Sequence, residues 1–164
     1  MGSSERIDAI EKKILLRAPR SRVWRALTDA AQFGAWFGVR VQGSFRAGTV
    51  VQAMLVPTEV DPDVAEQQRP YTGITFPLFI ERVEPESVFS FRWHPGVDPV
   101  ADANAPTTLV QFTLADAEEG TLLTVRETGF DAIPLEHRAK AFTDNAQGWA
   151  IQLTLIEKYL ASGS

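Results

Sequence analysis

The chain of 164 residues contains no cysteine. That excludes disulfides, thiol nucleophiles and cysteine-ligated metals together. Histidine is almost missing as well. His94 and His137 are the only two, too few for a multi-histidine centre, so no metal is expected. Basic charge is in deficit, with 16 Lys and Arg against 21 Asp and Glu, a net charge of −5 and a pI of about 5.1. No local run of Lys or Arg offsets this, and phosphate backbones need a basic face, so nucleic acid is not an expected partner. No stretch reaches the roughly 18 uninterrupted apolar residues of a spanning helix, so no membrane partner is expected either. Residues 1–8 are polar and lack the apolar centre of a secretion signal, which makes the cytoplasm the expected location. Gly43, Gly48 and Gly73 form no phosphate-binding pattern, and Ser44 and Ser87 lack a nucleophile elbow. No carboxylate cluster has calcium spacing, and Asp61-Pro62-Asp63 reads as an acidic loop. No cofactor is expected.

What is present suits one globular domain over 1–164, with its core at 7–161. Hydrophobic residues make up 45% and charged residues 23%, enough apolar surface for a real core and too much for a disordered chain. The most informative stretch is 134–161. Leu135, Ala139, Phe142, Ala146, Trp149, Leu153, Ile156 and Leu160 recur at steps of three and four, which places them on one stripe of an α-helix. That helix is about 40 Å long at about 1.5 Å per residue.

The segments before it read mostly as strands. Residues 7–16 alternate and form a first strand. Pro19 opens a short helix with Val23, Trp24 and Leu27 on its apolar side. Thr28-Asp29 ends that helix and caps a second one carrying Phe33, Trp36 and Phe37. Period two then takes over at 39–42, 49–56, 72–84, 88–94, 107–114 and 121–128. A bend or bulge is expected at Pro77, because proline cannot serve a central ladder. The acidic, proline-containing segment 57–70 reads as an exposed loop and a candidate lid. Residues 95–106 read as a second loop. Sequential hairpins favour an antiparallel meander, and a meander with its helices to one side is an α+β fold.

Several short motifs, in order, carry a family resemblance. They are Ala18-Pro19, then Val23-Trp24-Arg25-Ala26-Leu27-Thr28-Asp29, then Trp36-Phe37. Val83-Glu84-Pro85, Phe91-Arg92-Trp93, Gly120-Thr121-Leu122-Leu123-Thr124-Val125 and Gly148-Trp149 complete the series. The chain resembles the Hsp90 ATPase activator homologue 1-like (AHSA1-like) domain, within the START and Bet v 1-like superfamily, from about Ile10 to Leu160. The resemblance implies a helix-grip fold: a seven-stranded antiparallel sheet wrapped around the long C-terminal helix, with two short helices after strand 1. It also implies a cavity between sheet and helix, which in relatives takes lipids, sterols, polyketides or plant hormones. Eukaryotic activators carry a separate N-terminal Hsp90-binding domain with an Asn/Trp-rich motif, and nothing like it precedes Ile10.

Candidate site residues follow from the strand faces and from the resemblance. Glu127 shares a period-two face with Leu123 and Val125, so it points toward the helix as a ligand anchor or acid/base group. The competing reading is a strand-end carboxylate that reaches water or pairs with Arg126 or Arg92. Glu81 shares a face with Phe79 and Val83 and would pair with Glu127 if it points inward. Phe91, Trp93, Phe142 and Trp149 supply aromatic walls, although rings build plain cores equally well, and Trp24 and Trp149 read first as core. The resemblance puts Trp36 and Phe37 near a cavity entrance. Asn145 lies one step off the helix stripe and would offer a polar contact. His94 is the one strand histidine, on the face opposite Trp93, and His137 lies off the stripe and solvated.

The leading expectation is a binding module for a small hydrophobic molecule, without catalysis. One alternative is a co-chaperone-like interaction module with a chaperone as partner, as the resemblance implies. A second is a cyclase- or hydrolase-type enzyme using Glu127 or His94 as general acid/base. A monomer and a homodimer are both compatible with the sequence.

Overall fold

Elements begin and end where the side-chain period changes. The computed structural model describes residues 9–94, 106–133 and 135–161, with 135–138 described by backbone alone. β1 (Ala9–Leu16) leads into α1 (Arg20–Thr28) and α2 (Ala30–Phe37). β2 (Val39–Gln42), β3 (Val50–Leu55), α3 (Pro62–Gln68), β4 (Thr75–Glu84) and β5 (Val88–Trp93) follow. β6 (Thr108–Ala117), β7 (Gly120–Thr128) and α4 (Leu135–Ala161) complete the order. The expected loop at 95–106 lies outside the described residues except for Pro106, as do Ile7, Pro134 and the side chains of Leu135 and His137.

All seven strands pair antiparallel in the order β1-β7-β6-β5-β4-β3-β2. Strands β2 to β7 form a meander, and β1 adds beside β7. This is the expected α+β helix-grip arrangement. Asp29 divides the first two helices: its carboxylate accepts from the Ala31 and Gln32 N–H groups at 3.0 Å each, so one side chain caps α2 just where α1 stops. Gly38 ends α2 at φ 96°, and a Cβ there would come within 2.9 Å of the Val56 carbonyl oxygen.

The core lies between the inner sheet face and the helices, and aromatic rings fill much of it. Phe33, Trp36, Phe89, Phe91 and Phe112 are all buried. Phe33 meets Trp36 edge-on at 5.2 Å and stacks on Phe37 at 4.7 Å. Phe89, Phe91 and Phe112 form a second group with centroids 5.8–6.3 Å apart. On α4 the buried positions among the described side chains are Trp149, Leu153, Leu155 and Ile156, while Ala139 of the expected stripe is exposed. Among the described residues no helix is long and apolar enough to cross a membrane.

Two expectations need correction. Segment 57–70 is not simply a loop, for it contains α3. The Asp61 carboxylate caps that helix by accepting from the Asp63 and Val64 N–H groups, with Pro62 in the first turn. Only Val60 and Val64 of this segment pack on the core, too few to give a visible apolar period. Its other ties are polar. Thr58 Oγ1 donates to the Trp36 carbonyl at 2.9 Å, and the Thr58 N–H donates to Gln68 Oε1 at 2.7 Å. Lys158 on α4 reaches Asp61 at 2.6 Å. The second correction concerns β4. Pro77 keeps regular register opposite Gln52, and the irregularity falls between Ile80 and Arg82. A bulge adds one residue and reverses the facing parity of everything beyond it. Leu78 and Ile80 face inward before it, Val83 packs on the core after it, and Glu81 and Arg82 are both exposed.

Candidate ligand recess above a buried carboxylate

Glu127 is the focus of the interior. Along β7, Thr121, Leu123, Val125 and Glu127 alternate onto the inner face, and Glu127 is 0% exposed. The sheet brings Trp93 and Thr108 to it. These two sit directly opposite each other on β5 and β6, and Glu127 lies one strand further on, opposite Val110. The helix brings Asn145 and Trp149, which are one turn apart and therefore on one face.

All four side chains donate to the carboxylate. The Trp93 indole N–H reaches Oε2 at 2.8 Å and the Trp149 indole N–H reaches Oε1 at 2.8 Å. The Thr108 hydroxyl donates to Oε2 at 2.5 Å. The Asn145 amide N–H₂ spans Oε1 at 3.0 Å and Oε2 at 2.9 Å. Indole nitrogens and amide N–H₂ groups can only donate, so this partner set matches an acceptor-only carboxylate. Burying a charge is costly unless it is hydrogen-bonded, and here neutral donors supply the compensation, with no Lys or Arg among the described residues on the carboxylate. Glu127 thereby ties two sheet strands to the long helix.

Those bonds also orient the rings around it. Trp93 and Trp149 stack with centroids 5.7 Å apart and planes 28° from parallel. Phe37, at the end of α2, leans on both at 6.2 and 6.1 Å. Above these rings lies a recess of about 100 Å³, lined by Phe37, Trp93, Asn145, Gly148, Trp149 and Gln152, with Asp144 at its rim. Asp144 is ion-paired with Lys140 at 2.7 Å. The Gln152 Nε2 donates to the Phe37 carbonyl at 3.1 Å. Its Oε1 is buried and has no hydrogen-bond partner among the described residues. Among the described residues outside its own helix turn, a Cβ built on Gly148 would meet nothing within 4 Å.

The structure brings together Phe37, Trp93, Glu127, Asn145 and Trp149 from the expected set. Phe91 stands behind Trp93, fully buried, at 5.4 Å. Trp36 is not at an entrance. It is 0% exposed, and its indole N–H donates to the Ala26 carbonyl at 2.8 Å, so it is core. Phe142 packs edge-on against Phe130 at 5.4 Å, away from the recess. Glu81 does not pair with Glu127. It lies on the outward face with Phe79, since Leu78 and Ile80 are the inward positions, and it accepts from Arg92 Nε at 2.9 Å. Neither competing reading of Glu127 holds, because it reaches no water and Arg126 pairs with Glu11 at 3.6 Å. His94 lies on the outer face against Phe79 at 5.9 Å, with Nδ1 3.2 Å from the Pro106 carbonyl. Sequence reading missed Thr108, Gly148 and Gln152. The helical pair had a signal: Asn145, Gly148 and Gln152 repeat at steps of three and four beside Trp149.

A seven-stranded antiparallel sheet closed over a long C-terminal helix, with a carboxylate clamped between them, defines a helix-grip protein. The chain belongs to the family of activator of Hsp90 ATPase homolog 1-like proteins, whose family model matches residues 17–161. No curated protein matches it in sequence. Among solved structures it is similar to MLL2253 from Mesorhizobium loti, with TM-score 0.70 and 18% identity over 95% of this chain and 98% of that one. It is similar to SSP2350 from Staphylococcus saprophyticus, with TM-score 0.66 and 20% identity over 94% and 93% of the two chains. The BPP1335 protein of Bordetella parapertussis gives TM-score 0.64 and 23% identity over 97% and 78%. At these identities the likeness concerns the fold.

Proposed function

We propose that this protein binds a small, largely apolar ligand in the recess between α2, β5 and α4. Gly148 carries the reading. A glycine inside a helix costs roughly 1 kcal/mol relative to alanine. Such a residue is ordinarily explained by a neighbour that approaches too closely for a Cβ, yet at Gly148 no described residue beyond its own helix turn lies within 4 Å of that position. The missing side chain leaves open the space enclosed by Phe37, Trp93 and Trp149. An apolar cavity of roughly 150 Å³ takes up a benzene molecule. The recess of about 100 Å³ is smaller but open on one side, so it suits at most one ring or a short branched chain, with the remainder of a larger ligand outside.

Glu127 enters this function as a positioning residue. Its oxygens already accept from Trp93, Thr108, Asn145 and Trp149, which leaves it poorly placed to serve as a base. Nothing on the inner face supports the acid/base alternative for His94, which lies on the other side of the sheet. A chaperone is the partner that the family suggests, and the cytoplasm is the compartment that fits either role.

The test is a thermal-shift series with one-ring compounds on the native chain and on Gly148→Leu. Ligands that bind the folded state raise the melting temperature. The native chain should gain stability and the variant should not. Equal gains in both proteins, or none in the native chain together with chaperone capture in a pull-down, would contradict the reading.

A further inference from the structure

We infer that segment 56–68 is a clamp on the recess: it holds the Phe37 wall in place from outside, so that a ligand in the recess and this segment stabilise each other. The inference rests on the reading of the recess as a ligand site. α2 is 8 residues long, too short to hold its own ends. Phe33 and Trp36 anchor its body in the core, and Phe37, its last residue, lines the recess. The carbonyls that end a helix have no partner within it. Here segment 56–68 faces four of them in succession with N–H or O–H groups. The Glu59 N–H donates to the Ala35 carbonyl at 2.9 Å, and the Thr58 hydroxyl donates to the Trp36 carbonyl at 2.9 Å. The Gln68 amide N–H₂ reaches the Phe37 carbonyl at 3.5 Å, and the Val56 N–H donates to the Gly38 carbonyl at 3.0 Å.

The segment is fitted to this place. Gln68 Oε1 accepts from the Thr58 N–H at 2.7 Å, which turns Nε2 toward the Phe37 carbonyl. Gly38 lets the two backbones approach, since a Cβ there would lie 2.9 Å from Gln68 Nε2 and 2.9 Å from the Val56 carbonyl oxygen. Asp61 fastens the same segment to α4 through Lys158 at 2.6 Å. Among the described residues that line the recess none belongs to the segment, so its influence passes through α2. The Phe37 carbonyl is where the two meet. It takes Gln68 from the segment and, at 3.1 Å, Gln152 from the recess lining. A ligand packed on the Phe37 ring favours the clamped end of α2, and by reciprocity the clamp favours the ligand.

Toluene is the probe, titrated into the full chain and into two variants, with binding read from the Trp93 and Trp149 indole N–H resonances. Thr58→Val removes the hydroxyl from the Trp36 carbonyl. Gln68→Glu keeps an acceptor for the Thr58 N–H and puts an oxygen where Nε2 faced the Phe37 carbonyl. Each variant should bind toluene at least about fivefold more weakly than the native chain. A general loss of stability would lower the melting temperature without changing the affinity of molecules that remain folded. In the native chain, saturating toluene should slow amide exchange at Val56, Thr58 and Glu59 at least about fivefold more than at Gly48 and Thr49, whose N–H groups donate to Ile80 and Arg46 away from α2. Native affinity in both variants, or equal slowing at all five amides, would overturn the clamp and leave the ligand site standing. Unmoved Trp93 and Trp149 resonances in the native chain would overturn the ligand site and the clamp together.

Discussion

Glu127 shows how one side chain can organise an interior. Each carboxylate oxygen holds one indole N–H, Trp93 on Oε2 and Trp149 on Oε1. Glu127→Gln keeps the shape but puts an N–H₂ where an oxygen stood. Whichever way the amide turns, one indole is left facing a donor. A buried donor without a partner costs roughly 1–3 kcal/mol, so the variant should lose about that much stability by denaturant titration. An unchanged midpoint would mean that the bonds do not hold the rings. Glu81 provides the contrast. Its pair with Arg92 is about 42% exposed on both sides, and Glu81→Gln should change stability by less than about 1 kcal/mol. The inward position of Glu127 was legible from alternation with Leu123 and Val125. The outward position of Glu81 was not, because Phe79 and Val83, with which period two groups it, lie on opposite faces, and the bulge between Ile80 and Arg82 that separates them leaves no trace in alternation.

At the scale of the element, α4 combines two jobs that pull its sequence in different directions. Trp149, Leu153 and Ile156 bury one stripe, while Asn145, Gly148 and Gln152 hold a recess open beside it. Gly148→Ala should therefore stabilise the fold by about 0.5–1 kcal/mol in a melting experiment, since the helix gains a better former and the methyl meets open space. A loss of stability would show that the glycine is needed for packing. The long helix was plain in the sequence because its period runs over many turns. α3 was not, although the Asp61-Pro62 cap was present, because only Val60 and Val64 of that segment touch the core. Short helices held by polar ties leave little trace in hydrophobic periodicity. The site had the same difficulty. Trp93, Thr108 and Asn145 are distant in sequence, and only strand order and helix rotation bring them to one carboxylate.

Across the whole molecule, the sheet grips α4 at two levels. The Glu127 cluster does so inside, and the segment around α3 does so outside through Lys158 and Asp61 at 2.6 Å. The hydrogen bond from Lys158 and the Val64 N–H hold the Asp61 carboxyl below its ordinary pKa of 3.8. A lowered folded-state pKa means that the tie contributes fully above about pH 4 and is lost as pH falls through the lowered value. Asp61→Asn retains a capping side chain but not the charge. The native chain should therefore exceed it in melting temperature at neutral pH, and the gap should close in acid. A gap that widened in acid would contradict this assignment.

The central claim is that a ligand sits against Trp93, Trp149 and Gly148. Its most direct measurement follows the indole N–H resonances by ¹H–¹⁵N NMR while toluene is titrated into the protein. The Trp93 and Trp149 signals should shift saturably, the Trp36 signal should stay in place in its core bond to Ala26, and Gly148→Leu should abolish the response. Stationary Trp93 and Trp149 signals, or shifts that persist unchanged in Gly148→Leu, would contradict it.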